Sequence, residues 1–488
     1  MSKKQDSIQN RRRCKMGKRG VLLILLLTVG LLLVGCGSQK SVLDPENPVT
    51  ITLWNYYNGQ TKAQFDDLVN TFNETVGMQE GIVVDAYSQG DVQQLATAVY
   101  DAANGKIGAQ KLPNIFAAYP ENAFRVNEIV ALVNIEDYFS EEELNQYRTE
   151  FLNEGRFGPN HSLYILPIAK SSENLFLNRT FWNDFASETG YELKDLETWE
   201  GILEVAEAYY HWTDAKTVAA GDGNAFMGID SASNFMYVAS VQLGNPIYTI
   251  EEGQVTLNLK EETSRHLWDT FYMPYYKGYF VKTGRFSSDD AKVGRTLAYI
   301  GSTAGAGYFP NEITMSESEV IHVESAVLPY PVYQEGKPYV MQQGAGMCMT
   351  QSDEAHELAS SIFLKWLTQA EQNILFAKAT GYFPVMNEAL KASLSDGVAH
   401  DTIKESIETT LSMLDQYTFY SSEPFLESYD LRQLLEITLF EKALKDRQEA
   451  LERDIDPAAD NDEVMHQERF ETWFKQFEIK VAEILTNK

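Results

Sequence analysis

The chain has 488 residues, 44% of them hydrophobic, which is enough material for a large buried core divided between two domains. A formal net charge of −30 at pH 7 repels phosphate backbones and anionic headgroups, so nucleic acid is excluded as a natural partner. Of the three cysteines, Cys14 and Cys36 lie near the amino terminus and Cys348 stands alone after them, which rules out a disulfide framework.

Arg11, Arg12, Arg13, Lys15, Lys18 and Arg19 form a basic block, followed by a run, Val21 to Val34, that is apolar but for Thr28 and Gly30. That order is the n-region and h-region of an export signal. As a helix, 14 residues rise about 21 Å, short of the roughly 30 Å of bilayer hydrocarbon, so a permanent span is disfavoured. Leu33-Val34-Gly35-Cys36 then resembles the lipobox of bacterial lipoproteins, which implies a signal peptide over 1–35, diacylation of Cys36 and anchoring in the cell membrane on its extracytoplasmic face. The chain beyond this segment carries −37, since the segment itself holds eight basic residues and one acid.

Ser38 to Asn47 is polar with Pro45, and residues 36–47 read as a lipidated tether. From Val49 the pattern becomes periodic. "VTITLW" alternates as a strand, and Phe65, Leu68, Val69 and Phe72 follow helical spacing. "GIVVDAY" (81–87) is a second strand, Val92, Leu95, Ala96 and Val99 a second helix, and "PNIFAAY" (113–119) a third strand with a helix after it through Val130. Alternating strand and helix predicts an α/β sheet with crossovers. "SLYILPIAKSSENLFLN" (162–178) gives two strand-like runs around Pro167, and Trp199, Ile202, Leu203 and Ala206 mark a further helix. "AVLPYP" (326–331) and "GMCM" (346–349) are expected to form the arms of a hairpin turning at Glu335 and Gly336. Helices follow over 358–368, 431–444 and 470–485, the last with an apolar stripe of Phe470, Phe474, Phe477 and Val481; the acidic run 454–463 is expected as a loop.

Chemistry-bearing motifs fail on inspection. His356-Glu357-Leu358-Ala359-Ser360 begins like a zinc-protease helix, but Ser360 replaces the second imidazole. Gly301-Ser302-Thr303-Ala304-Gly305 has Thr303 where a nucleophile elbow needs Ser, and the sequence after Gly305-Ala306-Gly307 breaks the dinucleotide fingerprint at Pro310. The aspartates of 454–460 miss calcium-loop spacing because Ala458 and Ala459 intervene. No metal or cofactor is expected. A carboxylate pair for glycoside hydrolysis is set by space rather than spacing, so a surface glycosidase stays as the enzymatic alternative.

Aromatic residues recur at loop positions after strands: Tyr56 in "WNYYNG", Tyr87, Tyr119 before Glu121 and Asn122, Tyr382 in "TGYFP", and Phe425 and Tyr429 in "SEPFLESYD". At the carboxyl ends of parallel strands such rings suit the C–H faces of a sugar, with Asn, Glu, Gln and Ser serving its hydroxyls.

Several segments together resemble the extracellular solute-binding proteins of ABC sugar importers, the group of maltose-, multiple-sugar- and glycerol-phosphate-binding proteins. They are "VTITLWNYYNG…FDDLVNTFN" (49–73), "LPNIFAAYPENAFRVNEIVALVNI" (112–135), "YILPIAKSSENLFLNRTFW" (164–182), "LAYIGSTAGAGY" (297–308) and "GAGMCMTQSDEAHELASSIFLKWLTQAEQNILFAKATGYFPV" (344–385). The resemblance implies an α/β, two-lobed periplasmic-binding-protein fold of type II, with hinge-connected lobes on central mixed sheets. It implies a first lobe over 48–166 and 325–372 and a second over 167–324 and 373–488, with crossings near Leu166–Ser172 and Val323–Leu328. Position by position it places Ser171, beside Ser172 in "AKSSEN", where the family offers a hydroxyl or carboxylate to ligand. Tyr87, Glu121, Gly344 and Tyr382 fall on cleft-lining positions, Ser302 where maltose binders carry Trp, and Phe425 and Tyr429 in a segment of stacking aromatics.

Two departures bear on the ligand. The Arg that glycerol-phosphate binders carry near this last segment is replaced at Pro424–Phe425, leaving Arg432 as the nearby cation, and the Trp after the central helix is missing from "GIDSASNFMY". The expectation is therefore a monomeric, non-enzymatic receptor that binds a carbohydrate and hands it to ABC permease subunits with a cytoplasmic ATPase. Glycerol-phosphate-type ester binding is the alternative cargo, and ligand sensing without uptake the alternative role.

Overall fold

The computed structural model describes residues 42–251, 253–316, 319–392 and 394–486; the export segment 1–35 and Cys36 lie outside them. Eight strands build two four-stranded sheets: β1 (Val49–Asn55), β2 (Ile82–Ser88), β3 (Ile115–Ala118), β4 (Glu173–Asn178), β5 (Ala225–Ile229), β6 (Thr296–Ser302), β7 (Ser325–Leu328) and β8 (Gly346–Met349). The helices that shape the site are α1 (Gly59–Phe72), α2 (Val92–Ala103), α3 (Pro120–Asn127), α4 (Ala232–Gln242), α5 (Ala370–Thr380), α6 (Ser428–Leu451) and α7 (Glu463–Thr486). Among the described residues no helix is long and apolar enough to cross a membrane.

The first sheet runs β8-β3-β1-β2, with β1 parallel to β2 and β3, and β8 antiparallel to β3. All four residues of β3 are buried, as expected of a continuous apolar run with helices on both faces. Helix α2 starts at a reciprocal capping box in which Asp91 accepts from the Gln94 amide and Gln94 from the Asp91 amide. Phe65 and Phe72 of α1 are buried against this sheet, each contributing about 2–3 kcal/mol of burial.

The second sheet runs β7-β4-β6-β5; β4 is antiparallel to β6 and β7, and β6 is parallel to β5. Its core is rich in large rings, among them Trp199, Trp268 and Tyr272, and α7 adds Phe470, Trp473, Phe477 and Val481 from one face. Mixed sheets in two lobes are thus present.

Four expectations need correction. "AVLPYP" and "GMCM" are not arms of one hairpin: β7 pairs with β4 in the second sheet and β8 with β3 in the first. Short apolar strands of this kind carry no label of their partner, and the two cores separated them. The return crossing consequently falls later than Val323–Leu328, because Tyr330, Val340 and Met341 are still in the second core and the first resumes at Ala345. Beyond 372 the chain has not yet left the first lobe, whose core includes Phe376, Tyr382 and Val385. The described part of the tether is also attached rather than free, for Leu43 is 4% exposed within the first core and Gly81 packs on the Asp44 backbone.

The lobes are joined by three neighbouring crossings. Ser171 and Gln343 exchange both backbone hydrogen bonds (2.9 and 2.8 Å), and Lys170 and Phe383 do the same (3.0 and 2.6 Å). Beside them Lys170 and Glu154 form a buried ion pair, in which Lys170 also donates to the Gly344 carbonyl (2.6 Å) and Gln342 to Glu154 (2.7 Å). Burial pulls the Lys170 ammonium down and pushes the Glu154 carboxyl up from their ordinary values, each opposed by the other's charge.

Candidate functional site between the lobes

Parallel β1 and β3 direct their carboxyl ends toward the second lobe, and in that lobe the ends of β5 and β6 and the start of β4 face back. Between them lies a cavity of about 760 Å³, within the usual range of small-molecule sites.

The first-lobe wall is aromatic. The buried Asn55 side chain accepts from the Tyr57 amide (3.0 Å), turning the chain so that Tyr56 and Tyr57 leave the strand at the cavity. The hydroxyls of Tyr56 and Tyr382 meet at 3.3 Å. Tyr56 and Tyr119 accept from the hinge amides of Ala345 (3.4 Å) and Gly344 (3.3 Å). Burial holds the Tyr119 phenol up at about 12, so it enters as a neutral hydroxyl.

The opposite wall is a polar chain. Glu173 Oε1 accepts from Asn234 and from Gln343, both at 2.9 Å. Burial raises its carboxyl to about 7, against the pull of the Asn234 bond. Asn234 in turn accepts from Arg432 (2.9 Å), whose Nε pairs with Glu121 of the first lobe at 3.2 Å. Burial, the largest single influence, would lower the Arg432 guanidinium, but the charges of Glu121 and Glu436 and the nearby Tyr237 and Tyr119 together outweigh it and the group is held protonated. Glu436 accepts from Ser231 (2.9 Å) and from both the amide (3.0 Å) and hydroxyl (2.7 Å) of Ser233, at the first turn of α4. Asp230 is also pushed up by burial, opposed by the Ser287 amide.

Contacts between lobes flank the cavity. Arg285 pairs with Asp91 at 2.5 Å on one side. On the other, Tyr429 donates to Gln93 (2.7 Å) and lies 3.6 Å beneath the Arg125 guanidinium, which is held by Asn122 (2.8 Å). The lobes are therefore closed on one another.

Of the sequence candidates, Tyr56, Glu121, Asn122, Ser171, Ser302, Tyr382 and Tyr429 line the cavity. Four do not. Tyr87 is 48% exposed because β2 is the edge strand, and its hydroxyl is spent on Asp85. Phe425 is buried against Tyr248, ring centroids 4.9 Å apart. Ser172 turns into the hinge and donates to the Met341 carbonyl (2.9 Å). Gly344 acts through its backbone, at φ +88°, where a Cβ would meet the Ala169 carbonyl oxygen at 2.6 Å.

Sequence reasoning missed Glu173, Asp230, Asn234, Gln343 and Glu436, and three cations besides Arg432: Lys282, Arg285 and Lys292. Asp230 and Ser231 directly follow a strand and precede a helix, a signal that was available; Glu436 sits mid-helix and had none. Among the described residues no group of three His, Cys, Asp or Glu is placed to hold a metal ion.

Two lobes joined by three crossings, with a small-molecule-sized cavity at the facing strand ends, define the architecture of a solute-binding protein. The sequence matches the family model of bacterial extracellular solute-binding proteins over residues 67–405, and the chain belongs to that family, one of binding proteins and not of enzymes. Solved structures share the fold. UgpB from Mycobacterium tuberculosis in complex with glycerophosphocholine superposes with a TM-score of 0.67 at 17% identity, covering 90% of this chain and 100% of that one. The ABC substrate-binding protein Lmo0181 from Listeria monocytogenes in complex with cycloalternan gives 0.62 at 12% identity, covering 89% and 100%. The maltotriose binding protein of Thermus thermophilus, bound with maltotriose, gives 0.58 at 14%, covering 88% and 100%. Curated proteins yield no match.

Proposed function

We propose that the chain captures a mono- or oligosaccharide in the interlobe cavity outside the cell and delivers it to the permease subunits of an ABC importer with a cytoplasmic ATPase. In this reading the protein acts as a monomer, held at the membrane by lipid on Cys36. The observation that carries it is the two-faced cavity: tyrosine rings from the first lobe oppose carboxyl, amide and hydroxyl groups from the second. Rings cover the C–H faces of a sugar, and the polar wall exchanges hydrogen bonds with its hydroxyls. Tyr56, Tyr119 and Tyr382 are assigned to the rings, with Glu121, Asn122, Ser171, Glu173, Asn234 and Arg432 as polar partners.

Capture requires no covalent chemistry. A ligand touching both walls favours the closed arrangement, and about 5.5 kcal/mol of differential affinity would turn a 1% closed population into a 99% one. A few stacked rings and several hydrogen bonds at about 1 kcal/mol each supply that.

A glycerophosphodiester is the second reading, favoured by the likeness to UgpB and by a guanidinium in the cavity. Thermal unfolding of the soluble chain from Ser38 onward, run against maltotriose, other saccharides, polyols and glycerophosphocholine, separates the two. A ligand at 100 times its Kd adds about 2.7 kcal/mol. Stabilisation by a saccharide recovered unchanged is the expected result; stabilisation by glycerophosphocholine alone would replace the sugar reading with the ester.

A further inference from the structure

A phosphate group bound by a protein uses two kinds of seat above all, a guanidinium that offers paired N–H donors and the amino terminus of a helix. The cavity contains both kinds, and at Arg432 and at the start of α4 the seat already holds a carboxylate of the protein. On Arg432, Glu121 reaches across from the other lobe to Nε at 3.2 Å, while Nη1 is engaged by Ser233 (3.2 Å) and Asn234 (2.9 Å). At the start of α4, Glu436 takes the Ser233 amide and the hydroxyls of Ser231 and Ser233 with a single oxygen.

The Glu121 side chain is 4% exposed and makes its ion pair from β3's following turn, where Pro120 opens α3. The remaining cations are also engaged: Arg285 with Asp91, Lys292 with Asp289 at 3.1 Å, and Lys282 with the Asp230 carbonyl at 2.5 Å. An entering phosphate at either seat would have to expel a carboxylate and leave a largely buried charge such as that of Glu121, 4% exposed, without its partner, where like charges repel. An uncharged polyol faces no such cost.

We infer that Glu121 and Glu436 are specificity-determining residues that exclude phosphate esters and other anions by occupying, from within, two seats an anion would take. This rests on the interlobe cavity being the ligand site. It does not rest on the identity of the sugar, because the test is the gain of anion binding.

Isothermal titration with inorganic phosphate and with glycerol 3-phosphate, at low ionic strength, compares the wild-type chain with Glu121→Gln, Glu436→Gln and the double variant. Glutamine keeps the shape and removes the charge, and unfolding temperatures establish that each variant is folded. The wild type is expected to bind neither anion in the micromolar range. The double variant should bind glycerol 3-phosphate at least tenfold more tightly than the wild type, and adding Arg432→Gln to Glu121→Gln should abolish the gain of that single variant. Micromolar binding of either anion by the wild type overturns the inference, as does a folded double variant with no gain, or a gain in Glu121→Gln that survives loss of Arg432. Failure of every saccharide in the panel would overturn the sugar reading and leave this result standing.

Discussion

Replacing Glu173 with glutamine removes a charge from the cavity wall without changing its shape. The carboxyl is 2% exposed, faces Asn234, Gln343, Asp230 and Arg432, and is held at about 7 in the fold against an ordinary value of 4.5. The rise from 4.5 to about 7 corresponds to roughly 3 kcal/mol. The sign follows from proton binding. Between pH 4.5 and 7 the folded chain holds a proton that the unfolded chain has released, so this group's contribution to stability falls as pH rises through the window. Below pH 4.5 the acid is neutral in both states and glutamine should match it. Above pH 7 the full ionisation cost is present in the wild type only. For roughly 450 residues at about 2.1 cal/mol/K each, 3 kcal/mol is about 3 °C in Tm. Calorimetric scans of both proteins from pH 4 to 8 should show the variant gaining about that much with rising pH. A difference that stays flat, or a variant less stable than the wild type at pH 8, would refute the buried and raised carboxyl.

Lys170→Met strands Glu154 without its partner behind the hinge; a loss of about 3–5 kcal/mol is expected by denaturant unfolding, and Lys170→Met with Glu154→Gln should recover part of it. Gly344→Ala forces a side chain against the Ala169 carbonyl at positive φ, so lower stability and weaker ligand binding should fall together, readable in the same thermal-shift titration. Phe425→Ala should cost about 3–5 kcal/mol of stability while the affinity of the folded fraction stays unchanged, because the ring packs on Tyr248 outside the cavity. Tyr87→Ala, on the exposed edge strand, should leave both within about 0.5 kcal/mol.

The sequence by itself determined the local elements and the class. Period-two runs such as "VTITLWN" and buried blocks such as "IFAA" specify strands, helical spacing in 65–72 and 92–99 specifies the crossovers, and their alternation specifies α/β sheets. Tyr56, Glu121 and Tyr382 were legible as site residues because they lie just after a strand or a helix, Glu121 in the first turn of α3, at an end of the sheet that could be inferred. The tertiary structure alone decided which sheet each short apolar strand joined: β7 and β8 are both four-residue, mainly apolar strands, and only the two separate cores set their partners. It also decided the polar wall. Glu173, Asn234, Arg432 and Glu436 come from β4, α4 and α6, hundreds of residues apart at the extremes, and meet only because the second sheet brings those elements to one edge. Hydrogen-bond networks depend on distances of about 3 Å between groups, and sequence periodicity encodes which face a residue occupies but not what stands across from it.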